Sequence, residues 1–135
     1  MQELFRKGTN SVNDFNKRKI GSFYEKMAAD YLISQGVMIL ERNYRNPYGE
    51  IDLIGLTPEG WLIFVEVKYR NTEHSGSPLS AVNPRKQHRI SRVALEYLRH
   101  YYGSLEVKCR FDVVGIEDDN ILWLPNAFDF TGGAI

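Results

Sequence analysis

Residues 49 to 70, GEIDLIGLTPEGWLIFVEVKYR, constrain the fold more than any other stretch, because they have the pattern of a β-hairpin. At the centre, the segment 57 to 60 combines a proline that fixes φ with a glycine that tolerates a left-handed backbone, which is typical of a three-residue loop with a bulge. Thr57 is then expected to face Trp61. The resulting register pairs Leu56 with Leu62, Ile54 with Phe64, Asp52 with Glu66, and Glu50 with Lys68.

Side chains alternate along a strand, so these paired positions share one face of the hairpin. The other face is almost wholly apolar and holds Ile51, Leu53, Gly55, Ile63, Val65, Val67 and Tyr69. Near the turn the hairpin is apolar on both faces, which is typical of a strand pair inside a covered sheet. The charged end of the hairpin is therefore expected where the core opens into a cleft.

Asp52 and Glu66 are predicted to lie directly opposite each other, at a Cβ separation of about 5 Å, where two carboxylates repel. A positive charge is expected between them, either Lys68 or a hard divalent cation such as Mg²⁺, which carboxylates and water commonly hold. A lysine on the same face could orient or deprotonate a water or neutralise a phosphate. The alternative is a surface ladder of ion pairs in which Glu50 pairs with Lys68.

The composition is that of an ordinary globular domain, with seventeen basic and seventeen acidic residues and a net charge of zero. This balance argues against a chain that coats nucleic acid through bulk charge, although local patches are compatible with it. Cys109 is the only cysteine, which excludes an intramolecular disulfide framework and a cysteine-rich zinc site; we predict a buried structural thiol. Without a long apolar run or a signal-peptide pattern, the sequence favours a cytoplasmic location and no membrane partner.

A helix is predicted from about Asp14 to Gln35, with an apolar stripe that ends before the natural cap Gly36. Glu25 lies at the edge of this stripe, so it either looks along the core boundary or is simply solvated. A first strand follows over residues 37 to 45 and ends near Arg45. Residues 71 to 80, with His74, are predicted to form a loop beside the charged hairpin end, which could also act as a substrate-contacting flap.

Asn83-Pro84 predicts the start of a second helix that runs to about Tyr102. Its stripe, extended back one turn, brings Lys86 and Gln87 onto the sheet-facing side, where they either bind an anionic ligand or extend along a frayed first turn. Strands are predicted over residues 106 to 116 and 121 to 124. Asp112 lies within the first of them and is predicted to make structural hydrogen bonds rather than to bind metal.

The order of these elements resembles the PD-(D/E)-x-K nuclease superfamily, and in closer detail the YraN family of small bacterial proteins. The segments that carry the resemblance span about residues 20 to 128: Gly21-x-x-x-Glu25, Arg42-Asn43-Tyr44-Arg45, Gly49-Glu50-Ile51-Asp52-Leu53-Ile54, Phe64-Val65-Glu66-Val67-Lys68-Tyr69-Arg70, Lys86 with Arg89-Ile90, and Arg110-Phe111-Asp112-Val113-Val114. The superfamily's proline before the aspartate is Ile51 here. The resemblance implies an α/β, restriction-endonuclease-like three-layer core, in which a mixed sheet with a central hairpin is flanked by helices.

The resemblance also implies the chemistry: a Mg²⁺- or Mn²⁺-dependent endonuclease acting on DNA, including branched repair or recombination intermediates. Asp52 and Glu66 would bind the metal with the carbonyl of Val67, Lys68 would act on the attacking water, and Glu25 would support the metal. Four basic residues at the rim, Arg45, Arg70, Lys86 and Arg89, would hold the nucleic-acid backbone together with the neutral Gln87. Since the net charge is zero, we expect weak, salt-dependent binding that dimerisation would strengthen.

The alternative from another class is a non-catalytic nucleic-acid-binding or protein-interaction module on the same fold. The sequence predicts one domain over residues 13 to 128, preceded by a flexible arm at 1 to 12 and followed by a tail at 129 to 135. DNA against RNA, the substrate's shape and a homodimer stay open at this point.

Overall fold

The protein is described by a computed structural model that covers residues 2–70 and 82–131, with side chains from residue 15 onward. Seven elements follow in order: α1 (Gln2–Ser34), β1 (Met38–Asn46), β2 (Gly49–Leu56), β3 (Leu62–Arg70), α2 (Pro84–Tyr101), β4 (Cys109–Glu117) and β5 (Asn120–Phe128). The predicted loop at 71 to 80, with His74, falls outside the described residues. Within the described residues, no helix is both long enough and apolar enough to cross a bilayer.

The five strands form one mixed sheet in the order β1-β2-β3-β4-β5. The β3–β4 pair is parallel and the other three pairs are antiparallel. A parallel neighbour needs a crossover connection, and α2 lies in the segment between β3 and β4. The predicted α/β architecture, a mixed sheet with a central hairpin and flanking helices, is confirmed.

One helix covers each face of the sheet through small and branched apolar side chains. On the first face α1 buries Ala28, Ala29 and Leu32 among side chains that include Leu53 and Val65. On the second face, the buried residues of α2 pack with the even-numbered hairpin positions: Ile90, Val93, Ala94, Tyr97 and Leu98 against Ile54, Leu62 and Phe64. These two apolar layers fix the hairpin from both sides.

The central turn matches its prediction. The amide of Gly60 donates to the carbonyl of Thr57 over 2.9 Å, and the Thr57 amide donates to the carbonyl of Trp61 over 2.9 Å. Gly60 has φ +90°, the left-handed conformation that favours glycine at this position. The predicted register is confirmed for Leu56 opposite Leu62 and Ile54 opposite Phe64.

Several element boundaries differ from the sequence predictions. Helix α1 begins at Gln2 rather than near Asp14, so its backbone includes the segment predicted as an arm. Strand β4 begins at Cys109 rather than Glu106, and β5 extends to Phe128 rather than Leu124. Cys109 is half-buried, not fully buried as predicted, because it lies at the first position of β4. The limits of the domain and the mobility of its ends stay predictions.

Candidate functional site

The sheet forks at the charged end of the hairpin. Within the described residues, the β2–β3 ladder runs only from Leu56 opposite Leu62 to Leu53 opposite Val65. Beyond that point β2 remains paired with β1 as far as Gly49, and β3 remains paired with β4 as far as Arg70. The two halves of the sheet therefore separate where Asp52 and Glu66 lie.

The side chain of Asp52 occupies this fork. Its Oδ2 accepts a hydrogen bond from the backbone amide of Val67 over 2.8 Å, the amide that a continuous ladder would have used. The strict alternation of β2 also breaks here. Ile51, predicted on the face opposite Ile54, packs instead in the same buried cluster as Ile54 under α2. The alternation of the sequence could not predict this break, because it occurs where the side chain of Asp52, and not a backbone carbonyl of β2, accepts from the amide of Val67.

Three carboxylates converge at the fork. Glu25, Glu50 and Asp52 each offer an oxygen, and these oxygens lie within 4.8 Å of one another. Glu25 reaches the site from α1, which is held against the end of β3 by the stacked rings of Tyr24 and Tyr69, 4.3 Å apart. Oxygen atoms of carboxylates are the ligands that Mg²⁺ and Mn²⁺ prefer. The donor set therefore fits a hard divalent cation.

Glu66 is the fourth acid, and it is only 6 % exposed. Its Oε1 accepts from the Nζ of Lys86 over 2.5 Å, so the first turn of α2 supplies the positive charge for this acid. Lys68 was the lysine expected between Asp52 and Glu66. The structure brings Lys68 and Lys86 next to each other, with Lys86 making the direct contact to Glu66.

The pKa values of these groups reflect burial and crowding of like charge. Burial, followed by the negative charge of Glu66, raises the pKa of Asp52 to about 8, although the Val67 amide opposes the rise. Burial also raises the pKa of Glu25, against a hydrogen bond from Asn43. Without a cation, the fork therefore favours a protonated Asp52 near neutral pH.

The pKa values of Lys68 and Lys86 shift in opposite directions. Burial lowers the pKa of Lys68, and the adjacent ammonium group of Lys86 lowers it further. Burial would also lower the pKa of Lys86, but the hydrogen bond to Glu66 and the charge of that carboxylate outweigh it, and the pKa is raised. Lys86 is thus held as a cation, while Lys68 is the lysine whose proton is easier to remove.

A cleft of about 580 Å³ opens beside the fork. Its walls come from the β1–β2 turn, the charged ends of β2 and β3, and the first turns of α2: Arg45, Asn46, Pro47, Tyr48, Gly49, Glu50, Asp52, Glu66, Lys86, Arg89 and Ile90. The cleft thus contains acids at its base and two exposed arginines among its walls. Such a combination suits an anionic ligand that is held through a cation.

The predicted rim residues divide into two groups. Arg45 and Arg89 line the cleft, as does Lys86. The Nε of Arg45 also bonds the Oε2 of Glu50 over 3.1 Å, so Glu50 pairs with its β1 neighbour and not with Lys68 as the ladder interpretation required. Glu50 is a candidate ligand that the sequence analysis did not identify. The signal available in the sequence was the predicted position of Glu50 on the same face of the hairpin as Asp52.

The other two predicted rim residues are engaged elsewhere among the described residues. Arg70 lies 3.6 Å from Glu117 at the end of β4 and is largely buried. The side-chain amide of Gln87 donates to the carbonyl of Val82 over 2.9 Å, which fastens the loop before α2. Neither residue belongs to the walls of the cleft. Their predicted contact with nucleic acid stays a prediction.

Asp112 is confirmed as a structural acid. Its carboxylate, 0 % exposed, accepts bonds from the Nε and Nη2 of Arg110, the Nε1 of Trp123 and the amide of Asn126. These donors tie β4 to β5 across a register shift between the two strands. A buried carboxylate with this many donors is fully satisfied and has no need of a metal.

Comparison with known families and proteins gives a close match in sequence. Residues 24–116 match the model of the "Uncharacterised protein family UPF0102". A UPF0102 protein of Shewanella oneidensis is 44 % identical over 109 residues, covering 81 % of this chain and 98 % of the relative. A UPF0102 protein of Coxiella burnetii is 41 % identical over 113 residues, covering 83 % and 93 %.

Solved structures give weaker likenesses. The chain is similar to a repair endonuclease from Pyrococcus abyssi, with a TM-score of 0.39, 14 % identity, and coverage of 76 % of this chain and 39 % of that one. It is also similar to the EndoMS-dsDNA2 complex, with a TM-score of 0.33, 18 % identity, and coverage of 62 % and 30 %. The chain thus spans well under half of either structure.

Proposed function

This chain belongs to the UPF0102 family, and we propose that it is a Mg²⁺- or Mn²⁺-dependent nuclease that hydrolyses phosphodiester bonds in DNA, including branched repair or recombination intermediates. The matched segment, residues 24–116, includes Glu25, Asp52, Glu66, Lys68 and Lys86. The order of motifs that resembles the PD-(D/E)-x-K superfamily supports the same reaction.

One observation carries the proposal: the convergence of Glu25, Glu50 and Asp52 in a fork of the sheet, with Glu66 close by. Burial, and then the like charge of Glu66, disfavour an ionised Asp52, and both raise its pKa. Such an arrangement is retained when a cation is its partner, because an ion converts the repulsion among the acids into attraction. Each acid of the fork accepts from one donor group, whereas the structural acid Asp112 alone accepts four hydrogen bonds.

The residues of the fork would have separate roles in binding the cation. Asp52 would hold the cation together with Glu25 and Glu50, and Glu66, the other predicted ligand, would join them once Lys86 releases it. The carbonyl of Val67 is a further ligand candidate, because the amide and carbonyl of one strand residue point to the same side, and its amide already faces Asp52. When bound, Mg²⁺ or Mn²⁺ supplies Lewis-acid stabilisation of charge on a phosphate and promotes ionisation of the attacking water.

The lysines would act on the protons and on the phosphate charge. Lys68, whose pKa is lowered, would hydrogen-bond the attacking water and accept its proton. Lys86 would exchange its bond to Glu66 for a phosphate oxygen when a cation takes its place beside that acid. Arg45 and Arg89 would hold flanking phosphates, which positions a substrate without reading its sequence.

A second candidate function has its own supporting observation. The Lys86–Glu66 ion pair neutralises Glu66 without any metal. A non-catalytic nucleic-acid-binding module on this fold would keep such a pair and use the arginines of the cleft for phosphates. The two functions differ in whether the acids bind a divalent cation.

The test combines metal binding with cleavage. Mn²⁺ and Mg²⁺ are titrated by calorimetry into the wild type, Asp52→Asn and Glu66→Gln, and the same samples are incubated with labelled linear, flapped and four-way-junction DNA. Asp119→Asn is the matched control, because Asp119 is an exposed acid in the turn between β4 and β5. Identical purification of all four proteins controls for contaminating nuclease.

We expect metal binding and cleavage in the wild type and the control, and loss of cleavage in both site variants by a factor of about 100 or more. Metal binding without cleavage of any substrate would contradict the nuclease and leave a metal-dependent binding module. Absence of both activities would favour the metal-independent module.

A further inference from the structure

The turn between β1 and β2 carries an exposed aromatic ring at the mouth of the cleft. Tyr48 is 42 % exposed and lines the cleft together with Arg89. An exposed tyrosine offers an apolar ring face together with a polar hydroxyl, so it can contact a ligand that enters the cleft.

The backbone under the ring is held firmly. The Oδ1 of Asn46 accepts from the amide of Tyr48 over 3.0 Å, and the Nδ2 of Asn46 donates to the carbonyl of Val93 over 3.1 Å. Through this one side chain, the turn is fastened to α2. The ring of Tyr48 is thus carried by a rigid support, as a binding platform requires.

Arg92 of α2 covers part of the ring. Its guanidinium carbon lies 4.4 Å from the centre of the Tyr48 ring, a cation–π contact. Arg92 itself is exposed, and Arg99 lies farther along the same small groove. The ring therefore lines both the cleft at the fork and a small groove that contains Arg92, Glu96 and Arg99.

The ring of Tyr48 lies close enough to the acids of the fork for one nucleic-acid strand to contact both. Asp52 follows Tyr48 by four residues of turn and β2, which span roughly 13 Å at most. A strand whose phosphate lies at the fork would pass this ring. Unpaired bases stack on exposed aromatic side chains and on arginine planes, whereas bases in a duplex have both faces covered.

We propose that Tyr48 and Arg92 form a stacking subsite for an unpaired base of single-stranded nucleic acid bound in the cleft. This inference rests on the proposed function for the phosphate at the fork and adds a substrate class: strands with an unpaired nucleotide beside the cleavage point. Arg92 keeps the ring upright and supplies charge for the adjoining phosphate, and the ring supplies the stacking surface.

The test measures binding both in EDTA and with Ca²⁺, a hard cation that also prefers oxygen ligands, so that the result does not depend on cleavage. A short single-stranded DNA with an end fluorophore reports affinity by anisotropy, and the same DNA with 2-aminopurine reports stacking by fluorescence quenching. A matching RNA and a blunt duplex of the same sequence are the competing ligands. The variants are Tyr48→Ala, Tyr48→Phe and Arg92→Ala, with circular dichroism to check folding.

The control is Lys108→Ala. Lys108 makes another cation–π contact, 4.8 Å above the ring of Trp61, at the turn end of the hairpin. The Lys108→Ala variant removes one exposed positive charge, as Arg92→Ala does. The charge of Lys108, however, lies at the opposite end of the hairpin from the fork. A general loss of charge would therefore affect both variants equally.

We expect Tyr48→Ala to weaken single-strand binding at least about fivefold and to abolish the quenching, with Tyr48→Phe retaining both. Arg92→Ala should weaken binding while Lys108→Ala does not, and duplex should compete poorly. Equal affinity of wild type and Tyr48→Ala, equal preference for duplex, or absence of single-strand binding by the wild type would overturn the subsite. If the wild type binds single-stranded DNA through this subsite but cleaves no substrate, only the proposed nuclease activity is contradicted. Competition between the DNA and the matching RNA shows which of the two the subsite prefers.

Discussion

Two aspartates of this chain show how environment decides the role of the same side chain. Asp112 receives donors from Arg110, Trp123 and Asn126, and its charge is fully compensated inside the protein. Asp52 accepts from the amide of Val67 and lies beside other carboxylates, so burial and repulsion raise its pKa to about 8. One acid therefore stabilises the fold as an anion, and the other destabilises it when it loses its proton.

The effect of Asp52 on stability should depend on pH. In the metal-free protein, its pKa is about 8 when folded, against 3.8 in the reference state. Between these values the folded chain binds a proton that the unfolded chain does not, so stability falls as pH rises through the window and stays low above it. Asp52→Asn removes this penalty and keeps an acceptor for Val67. At pH 8 in EDTA, we expect its free energy of unfolding to exceed that of wild type by roughly 1 to 3 kcal/mol.

Urea denaturation of both proteins at pH 5 and pH 8 measures this difference. The gain in the free energy of unfolding of Asp52→Asn over wild type should be smaller at pH 5, where wild-type Asp52 keeps its proton. Asp52→Ala is the comparison, because it removes the charge but leaves the Val67 amide without its acceptor, which costs about 1 kcal/mol or more. A gain that does not change with pH would show that the charge of Asp52 is not its source.

Lys86 offers a complementary prediction at the same scale. Its ammonium bonds the buried Glu66, so Lys86→Met should leave that acid without its partner. We expect metal-free stability to fall by about 1 kcal/mol, since the lysine is partly exposed. Mn²⁺ affinity should rise, because a competing cation has been removed. If denaturation and calorimetry show neither change, the ion pair has no energetic role in the free protein.

At the scale of elements, the sequence predicted the turn half of the hairpin and α2 well because their signals are local. The predicted start of α1 was wrong, as were the predicted pairs of Asp52 with Glu66 and of Glu50 with Lys68. The turn chemistry at Pro58 and Gly60 and the cap at Asn83 each depend on neighbouring residues, and all three are found. The fork is different. It depends on the side chain of Asp52 taking an amide of β3, and on Glu25 arriving from α1, and neither contact leaves a periodic trace in the sequence.

The same limit applies to the charges of the site. Alternation placed Asp52, Glu66 and Lys68 on one face, yet it gave no means to decide which lysine bonds Glu66. Lys86 lies on another element, and its contact exists only once α2 packs on the sheet. The contact of Arg70 is another example, because Glu117 of the parallel neighbour β4 lies within 3.6 Å of it.

The turn before β2 supports a prediction about how elements fit together. Gly49 has φ +148°, and a Cβ there would lie 3.0 Å from the Cγ of Arg89 and 3.3 Å from the Cγ2 of Val93. Gly49→Ala should therefore strain the backbone and push Arg89 away from the cleft. We expect a loss of roughly 1 to 3 kcal/mol in the free energy of unfolding and weaker nucleic-acid binding.

Gly60→Ala is the matched control for this substitution. Gly60 also has a positive φ, but a Cβ there meets nothing within 4 Å. It should lose stability through backbone strain alone and keep its affinity for nucleic acid. Denaturation and anisotropy titrations on both variants separate strain from contact. Equal binding by the two variants would show that the position of Arg89 does not matter for the ligand.

At the scale of the whole molecule, the proposed function does not depend on overall charge, which is zero. The two helices instead bring opposite charges to one fork, an acid from α1 and a base from α2, while the sheet supplies Glu50, Asp52 and Glu66. Stability and ligand binding are then coupled through a few groups. A cation bound at the fork should stabilise the entire fold, because the acids that repel in the free protein become ligands.

This coupling should appear as a metal-induced rise in melting temperature that itself depends on pH. Mn²⁺ at 100 times its dissociation constant adds about 2.7 kcal/mol, which corresponds to roughly 10 °C for a chain of this size. Asp52 must lose its proton to bind, so affinity and the rise in melting temperature should increase from pH 6 to pH 8. Thermal melts of wild type and Asp52→Asn at both pH values, with Mn²⁺ or EDTA, measure this, with Asp119→Asn as the control. A rise that is the same at both pH values, or that persists in Asp52→Asn, would place the bound cation away from the fork.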